Sequence, residues 1–267
     1  MKIDYQETTN DLLTRIDIHQ KYGGRDIDQW MLDVLKLEKG MRILDVGCGA
    51  GKQCFVFDKA LEGQAEITGG DVSVDLLEKA RAENLVQAGG RVKFIELDFD
   101  KVFPFEDEQF DLLSACFTIY YMTDIPFTVG QMRRVLKPGG RLFTSGPMPD
   151  NKQVFYDIIR SATGKPIPPM PGSSRYGTQI LDMIRASFAS VEVHLFENPL
   201  TFEGVEPFMA YTRASLSEDR KLWKTLFEDK AGFTRVIEQI QAEAEKRIAA
   251  DGKIVMTKVV GGFVATR

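Results

Sequence analysis

The sequence has few of the residues from which metal and disulfide sites are built. Its 267 residues include 3 cysteines and 2 histidines. Cys48, Cys54 and Cys116 are odd in number and have no metal-binding spacing, so they indicate neither a disulfide framework nor a zinc site. His19 and His194 lie far apart, without a paired-histidine motif. We therefore expect no bound metal and a reducing compartment.

The sequence also lacks an excess of positive charge and any long apolar run. A formal net charge of −5 argues against a nucleic acid as the main partner, because binding to phosphates needs clustered Lys and Arg. No apolar run is long enough to span a membrane. The segment Met1 to Asp11 has neither the basic start nor the apolar core of a signal peptide. A cytoplasmic protein without membrane contact is the default expectation.

The most informative segment is an apolar run that ends in three alternating glycines. Residues 43–46 predict a buried strand, and Gly47, Gly49 and Gly51 predict a tight turn against which a ligand can lie. The amphipathic stretch 53–61 predicts a helix whose first N–H groups point back at this turn and favour a polar or anionic group.

The spacing of the glycines indicates whether the turn can bind a dinucleotide such as a nicotinamide cofactor. A dinucleotide fingerprint places its third glycine where this chain has Lys52, which disfavours a nicotinamide oxidoreductase.

Two further predicted strands each end on an acidic residue. Residues 66–70 lead to Asp71 and then to a predicted helix over 74–87. A carboxylate at this strand end can accept hydrogen bonds from both hydroxyls of a ribose. The alternative is that Asp71 begins a turn or caps the helix, a role that Ser73 also fits. The next run, 92–97, leads to Asp98.

Five segments occur in the order typical of one family. They are residues 43–51, 66–73, 92–99, 110–124 and 131–143, the last containing R-R-V-L-K-P-G-G-R-L. With these segments the chain resembles the class I S-adenosylmethionine-dependent methyltransferases. The resemblance implies an α/β fold with a Rossmann-like, doubly wound, mostly parallel seven-stranded sheet, and S-adenosylmethionine as the cofactor.

The resemblance also implies which residues hold that cofactor. The glycine turn receives its aminoacyl part, Asp98 takes the adenine amino group with Asp100 as a competitor, and Phe99 and Val72 cover the ring. Cys116 and Phe117 line the methionine arm. The expected cofactor-binding residues are Asp45, Gly47, Cys48, Gly49, Gly51, Asp71, Val72, Asp98, Phe99, Cys116 and Phe117.

The sequence indicates less clearly which residues bind the acceptor and promote the reaction. Many small-molecule members of the family carry a histidine where this chain has Tyr121, and a tyrosine is a poor base at neutral pH but a good hydrogen-bond partner. Tyr121 is our catalytic candidate, with helix-start packing of Tyr120 and Tyr121 as the alternative. Tyr22, Phe208 and Tyr211 join Tyr121 as candidate acceptor-binding residues.

The organisation predicted is one domain over 1–267, because no repeat or low-complexity linker divides it. Residues 1–40 form N-terminal cap helices and 41–150 the cofactor-binding core. Residues 151–267 supply the remaining strands and a helical substrate cap at about 203–250. A proline-rich stretch at 165–172 must be a loop, either a lid or a rigid surface connection.

The function expected is methyl transfer from S-adenosylmethionine to a small-molecule acceptor, such as a metabolite or natural-product intermediate. Two alternatives remain open. A methyltransferase acting on a protein or nucleic acid predicts a basic groove, and a non-catalytic cofactor-binding protein predicts a cap closed over Tyr121. The acceptor atom, the base and the oligomeric state stay open.

Overall fold

The computed structural model describes residues 9–267, so residues 1–8 of the predicted N-terminal segment lie outside the described residues. The fold is α/β, and its strands form one sheet. Alternation of buried apolar segments with amphipathic ones accounts for this pattern. The strands are β1 Arg42–Val46, β2 Glu66–Asp71, β3 Lys93–Glu96, β4 Phe110–Cys116, β5 Leu136–Pro147, β6 Ser190–Phe202 and β7 Ile254–Thr266.

Helices connect these strands, and one of them, Pro171–Arg175, begins inside the proline-rich stretch 165–172 that the sequence predicts to be a loop. The helices are α1 Thr9–Tyr22, α2 Ile27–Leu35, α3 Lys52–Ala60, α4 Val74–Gln87, α5 Ile125–Val135, α6 Gln153–Thr163, α7 Pro171–Arg175, α8 Leu181–Ser187, α9 Val205–Ala214, α10 Arg220–Leu226 and α11 Lys230–Asp251. A 3₁₀ turn spans Ile119–Tyr121, and a π-helical turn at Tyr176–Ile180 precedes α8. None of these helices is long and apolar enough to cross a membrane.

The sheet has the order β3-β2-β1-β4-β5-β7-β6. β1 pairs in parallel with β2 on one side and β4 on the other, and β7 runs antiparallel to β5. The predicted mostly parallel, seven-stranded Rossmann-like sheet is therefore confirmed. Strand order reverses between β1 and β4, and open α/β sheets bind ligands at such a point, outside the carboxyl ends of the strands.

One local feature differs from the sequence prediction. A Pro-Gly-Gly segment such as residues 138–140 usually separates a helix from the next strand, yet α5 is followed directly by β5, which contains this segment. Gly139 has φ +74°, and the pairing register between β4 and β5 shifts near Phe110. The segment is therefore an irregularity inside the strand, which glycine tolerates because it lacks a Cβ.

The chain divides into two compact units. The sheet unit contains Ile27–Pro149, Pro171–Phe196 and Val260–Arg267. Its two apolar clusters bury β1 and β4, whose side chains are covered on both faces as in a parallel sheet. The helical unit contains Met1–Asp26, of which 9–26 are described, together with Asp150–Met170 and Glu197–Val259. It has its own apolar core, to which α6, α9, α10 and α11 contribute.

Candidate functional site

The glycine turn after β1 leaves open space at one of its three glycines. Gly47, Gly49 and Gly51 have φ of +70°, +54° and +85°, a region that other residues rarely adopt. A Cβ on Gly47 would lie 2.2 Å from Oγ1 of Thr118, and one on Gly51 would lie 2.8 Å from Cζ of Phe94. A Cβ on Gly49 would meet no described atom within 4 Å. The turn therefore forms a cradle open at Gly49.

The N-terminus of α3 faces this cradle without a side-chain cap. Gly51 is the N-cap residue, and the helix begins at Lys52. First-turn N–H groups that lack a capping side chain are available to a polar or anionic ligand. Lys52 carries a positive charge beside this turn, and its Nζ lies 2.9 Å from the carboxylate of Asp28.

Asp71, at the end of β2, ties the glycine turn to the start of α4. Its Oδ2 accepts a hydrogen bond from the Gly49 N–H at 2.8 Å, and its Oδ1 accepts one from the Ser73 N–H at 2.8 Å. Ser73 is the helix cap, because its Oγ accepts from the Leu76 N–H at 3.4 Å. A carboxylate has about four acceptor positions, so each oxygen of Asp71 keeps capacity for a ligand hydroxyl.

Val72 lies exposed after the end of β2, and Asp98 lies half-buried after the end of β3. Asp98 accepts a hydrogen bond from the Asp100 N–H at 3.0 Å and pairs with Lys101 at 3.1 Å. These two contacts hold the pKa of Asp98 below its ordinary value, so its carboxylate is charged. Val72 is 58% exposed, whereas Phe99 is partly buried against the sheet core. Asp100 accepts a bond from a backbone N–H in the segment after β4.

Asp45 and Cys48 are buried beside the turn. Asp45 is 2% exposed, and its Oδ2 accepts a hydrogen bond from the Cys54 thiol at 3.5 Å. Burial raises the pKa of Asp45 to about 7, although hydrogen bonds from Ser114 and Cys54 lower it. Asp45 thus contacts protein groups, and its predicted contact with the cofactor stays a prediction. The Cys48 thiol is directed at the backbone oxygen of Gly49, at 3.7 Å.

The end of β4 holds a strained residue. Phe117 has φ +54° and is 38% exposed, and its N–H donates to the Ser145 oxygen at 2.8 Å. A bulky residue in this backbone region is uncommon and often marks a functional site. Cys116 contacts Oγ of Ser114 at 3.3 Å and Sδ of Met31 at 3.8 Å. Burial raises the pKa of Cys116 to about 12, so the thiol is neutral and a poor nucleophile.

The 3₁₀ turn after β4 presents one tyrosine and buries the other. Tyr120 is buried in the sheet core, so the packing alternative describes it correctly. Tyr121 is 64% exposed, with its ring centroid 4.7 Å from that of Tyr120. Because Thr118 packs against Gly47, this turn adjoins the glycine turn. The structure thus brings Tyr121 to the edge of the sheet where the glycines, Asp71 and Asp98 lie.

The other predicted acceptor residues belong to the helical unit. Tyr22 is half-buried, with its ring 5.3 Å from that of Phe202. Phe208 and Tyr211 have no exposed surface and are part of that unit's core. Their placement gives no support to a role in acceptor binding, because neither side chain offers a surface to a ligand.

The helical unit also contains an ionic network that no sequence motif predicted. Lys152 Nζ lies 2.7 Å from Asp219 and 3.2 Å from Glu218, and Lys258 Nζ lies 3.3 Å from Glu218. The Tyr211 hydroxyl accepts from Lys258 at 3.1 Å and donates to Glu218 at 3.3 Å. Burial lowers the pKa of Lys152, but the two carboxylates raise it well above its ordinary value. The lysines lie far in sequence from the two carboxylates, so no local motif predicts these ion pairs.

Comparison with known proteins finds similarity to methyltransferases over the part of the chain that carries this site. A family model described as a methyltransferase domain matches residues 37–165, which include every site residue of the sheet unit discussed above. Demethylmenaquinone methyltransferase from Staphylococcus aureus is 35% identical over 133 residues, 47% of this chain and 54% of that protein. The ubiquinone/menaquinone biosynthesis C-methyltransferase UbiE from Psychromonas ingrahamii is 28% identical over 67% of this chain and 73% of that protein. The chain thus spans about half the length of the first of these relatives.

Solved structures match over most of the chain. YcgJ from Bacillus subtilis has a TM-score of 0.59 and 17% identity, covering 90% of this chain and 97% of YcgJ. A putative methyltransferase from Bacillus halodurans has a TM-score of 0.59 and 18% identity, covering 90% of this chain and 98% of that protein. At such identities these likenesses show the fold.

Proposed function

We propose that the chain is a class I S-adenosylmethionine-dependent methyltransferase and that it methylates a small, partly apolar acceptor molecule. The observation that carries this proposal is the open cradle at Gly49, with Asp71 hydrogen-bonded to the Gly49 N–H. Asp98 lies at the end of the next strand. These groups line one edge of the sheet and match the polar parts of the cofactor in order.

The residues present fit that cofactor part by part. The cradle at Gly49 and the uncapped start of α3 would hold the aminoacyl group, and the free acceptor positions of Asp71 would take the ribose hydroxyls. Charged Asp98 would accept a hydrogen bond from the adenine amino group, with Val72 and Phe99 against the ring. When bound, S-adenosylmethionine supplies a methyl group already activated by a sulfonium.

The protein's task in methyl transfer is to hold the acceptor atom close and in line with that methyl group. Phe117 and Tyr121 are exposed aromatic side chains on the segment that adjoins the glycine turn. Aromatic faces stabilise positive charge, and the Tyr121 hydroxyl can orient a polar group of the acceptor. We therefore assign Tyr121 to positioning the acceptor. The reaction requires no nucleophilic side chain, and the neutral Cys116 thiol does not supply one.

A quinone-class aromatic molecule is the first acceptor to test. The relatives from Staphylococcus aureus and Psychromonas ingrahamii are named for demethylmenaquinone and for ubiquinone and menaquinone biosynthesis. The net charge of −5 makes a nucleic-acid acceptor unfavourable. We accordingly propose a small-molecule partner and a cytoplasmic location.

The test is direct assay of the full chain. It is incubated with S-adenosylmethionine and a short-chain demethylmenaquinone, added both as the quinone and after reduction with dithionite. Mass spectrometry follows the gain of one CH₂ in the acceptor and the formation of S-adenosylhomocysteine. The Gly49→Val variant, which fills the cradle, is the inactive control.

Two outcomes would change the proposal. Cofactor turnover only with other members of a small-molecule library would keep methyl transfer and replace the quinone. Tight cofactor binding without methylation of the library, of a protein extract or of RNA would favour the non-catalytic binding protein.

A further inference from the structure

Arg175, outside the sequence motifs, contacts the turn that carries Tyr121. Its Nη1 donates a hydrogen bond to the backbone oxygen of Tyr120 at 2.9 Å, and its Nη2 donates to that of Met122 at 3.3 Å. These two carbonyl groups flank Tyr121. Arg175 lies more than 50 residues further along the chain, and this contact exists only in the folded sheet unit.

The geometry of the turn explains why its carbonyl groups need a donor. The Tyr121 N–H bonds to the Thr118 oxygen at 2.9 Å, and the Met122 N–H bonds to the Ile119 oxygen at 3.3 Å. At Met122 the backbone becomes extended, with ψ 139°, so the helix does not continue. The last carbonyl groups of a short helical turn then lack intrahelical partners, and the guanidinium fork supplies two donors.

The position of Arg175 is itself fixed by its neighbour in sequence. Tyr176 is fully buried, and its ring stacks on Phe263 with centroids 4.4 Å apart at 7°. Its hydroxyl forms a hydrogen bond with Oγ1 of Thr144 at 2.8 Å. Arg175 ends α7 immediately before this anchored residue. The donor pair therefore lies directly beside a side chain that is anchored in the sheet core.

We propose that Arg175 is a positioning residue that orients Tyr121 toward the acceptor, so that it acts on turnover of the acceptor and leaves cofactor affinity unchanged. This inference rests on the proposed function. Fixing the carbonyl groups before and after Tyr121 restricts the backbone torsions that set the direction of its side chain. The Tyr121 side chain itself is mostly exposed, with its ring against that of Tyr120. A lysine at position 175 would reach one carbonyl group at a time.

The experiment is a double-mutant cycle measured by kcat/KM, with amide hydrogen exchange as a second readout that needs no turnover. Arg175→Gln, Arg175→Lys, Tyr121→Phe and the double variant Arg175→Gln with Tyr121→Phe are compared with wild type. We expect Arg175→Gln to lower kcat/KM for the reduced short-chain demethylmenaquinone at least about tenfold and Arg175→Lys to recover part of that loss. S-adenosylhomocysteine affinity by calorimetry should stay within about twofold of wild type in each variant. In the Tyr121→Phe background, Arg175→Gln should cost much less than in wild type.

Amide hydrogen exchange of residues 117–123 supplies the independent arm. In the ligand-free protein, exchange should be faster in Arg175→Gln than in wild type. The matched control is Arg160→Gln, which removes an exposed guanidinium paired with Asp157 on α6. That control should change neither exchange in the turn nor kcat/KM.

Each failure has a separate meaning. An equal loss from Arg175→Gln in the presence and absence of the Tyr121 hydroxyl would overturn the proposal, as would unchanged exchange in the turn. If wild-type protein does not methylate the demethylmenaquinone, the proposed acceptor fails, and the exchange result alone decides whether Arg175 holds the turn.

Discussion

Burial of Asp45 should make the stability of the sheet unit depend on pH. This carboxyl lies at the end of β1 with 2% of its surface exposed, and burial raises its pKa from 3.8 to about 7. In the unfolded chain the same group ionises near its ordinary value. Between about pH 4 and pH 7 the folded state therefore keeps a proton that the unfolded state has lost.

The sign and size of the effect follow from this difference. A raised carboxyl pKa means that the stabilising contribution is complete below pH 3.8, falls as pH rises and is lost above about pH 7. At roughly 1.4 kcal/mol for each pKa unit, the rise in pKa corresponds to about 4 kcal/mol of unfolding free energy. The side chain in Asp45→Asn cannot ionise, so this substitution removes the pH dependence. The unfolding free energy of the variant should therefore rise relative to that of wild type as pH rises.

The assay is urea unfolding of wild type and Asp45→Asn at a series of pH values from about 4 to 8. Fluorescence of Trp30 reports on the sheet unit when Trp223, which belongs to the helical unit, is replaced by Phe in both proteins. The free-energy difference between variant and wild type should grow by about 4 kcal/mol over this range. Asp75→Asn, at an exposed position of α4, is the control and should give a constant difference. A constant difference for Asp45→Asn would refute the reasoning.

Further predictions concern binding and the helical unit. Gly49→Val should abolish S-adenosylmethionine binding in calorimetry while the fold is retained. The control is Gly40→Val, at an open position with φ +87° away from the site, which should bind the cofactor normally. Wild-type affinity in Gly49→Val would contradict the assignment of the cradle to the cofactor. Asp71→Ala should weaken binding of S-adenosylmethionine and S-adenosylhomocysteine alike by at least about tenfold, and unchanged affinity for the latter would remove Asp71 from the site. Lys152→Met should lower the unfolding free energy by about 3–5 kcal/mol by leaving Asp219 buried without its partner; circular dichroism during urea unfolding checks this, and a further Asp219→Leu change should restore part of the loss.

Local sequence patterns predicted individual strands and helices because the parallel sheet imposes those patterns, whereas the fold class followed from the family resemblance. Strands covered on both faces read as apolar runs, and helices between them show amphipathic spacing. The predicted helix over 74–87 agrees with α4 at both ends, and Ser73 caps its start as the sequence suggested. Glycine and proline usually occur between elements, but the pairing of β5 with its neighbours keeps the Pro-Gly-Gly segment inside the strand.

The same distinction between local segments and contacts of distant residues applies to the candidate site. The glycine turn and the acidic residues after β2 and β3 lie in short segments, and the family resemblance of those segments predicted which residues should face a cofactor. The contact of Arg175 with the Tyr121 turn, the pairing of Lys152 with Asp219 and the burial of Tyr211 join residues distant along the chain. Aromatic and charged side chains read the same in sequence whether they line a pocket or fill a core, so only the tertiary structure decided between those outcomes.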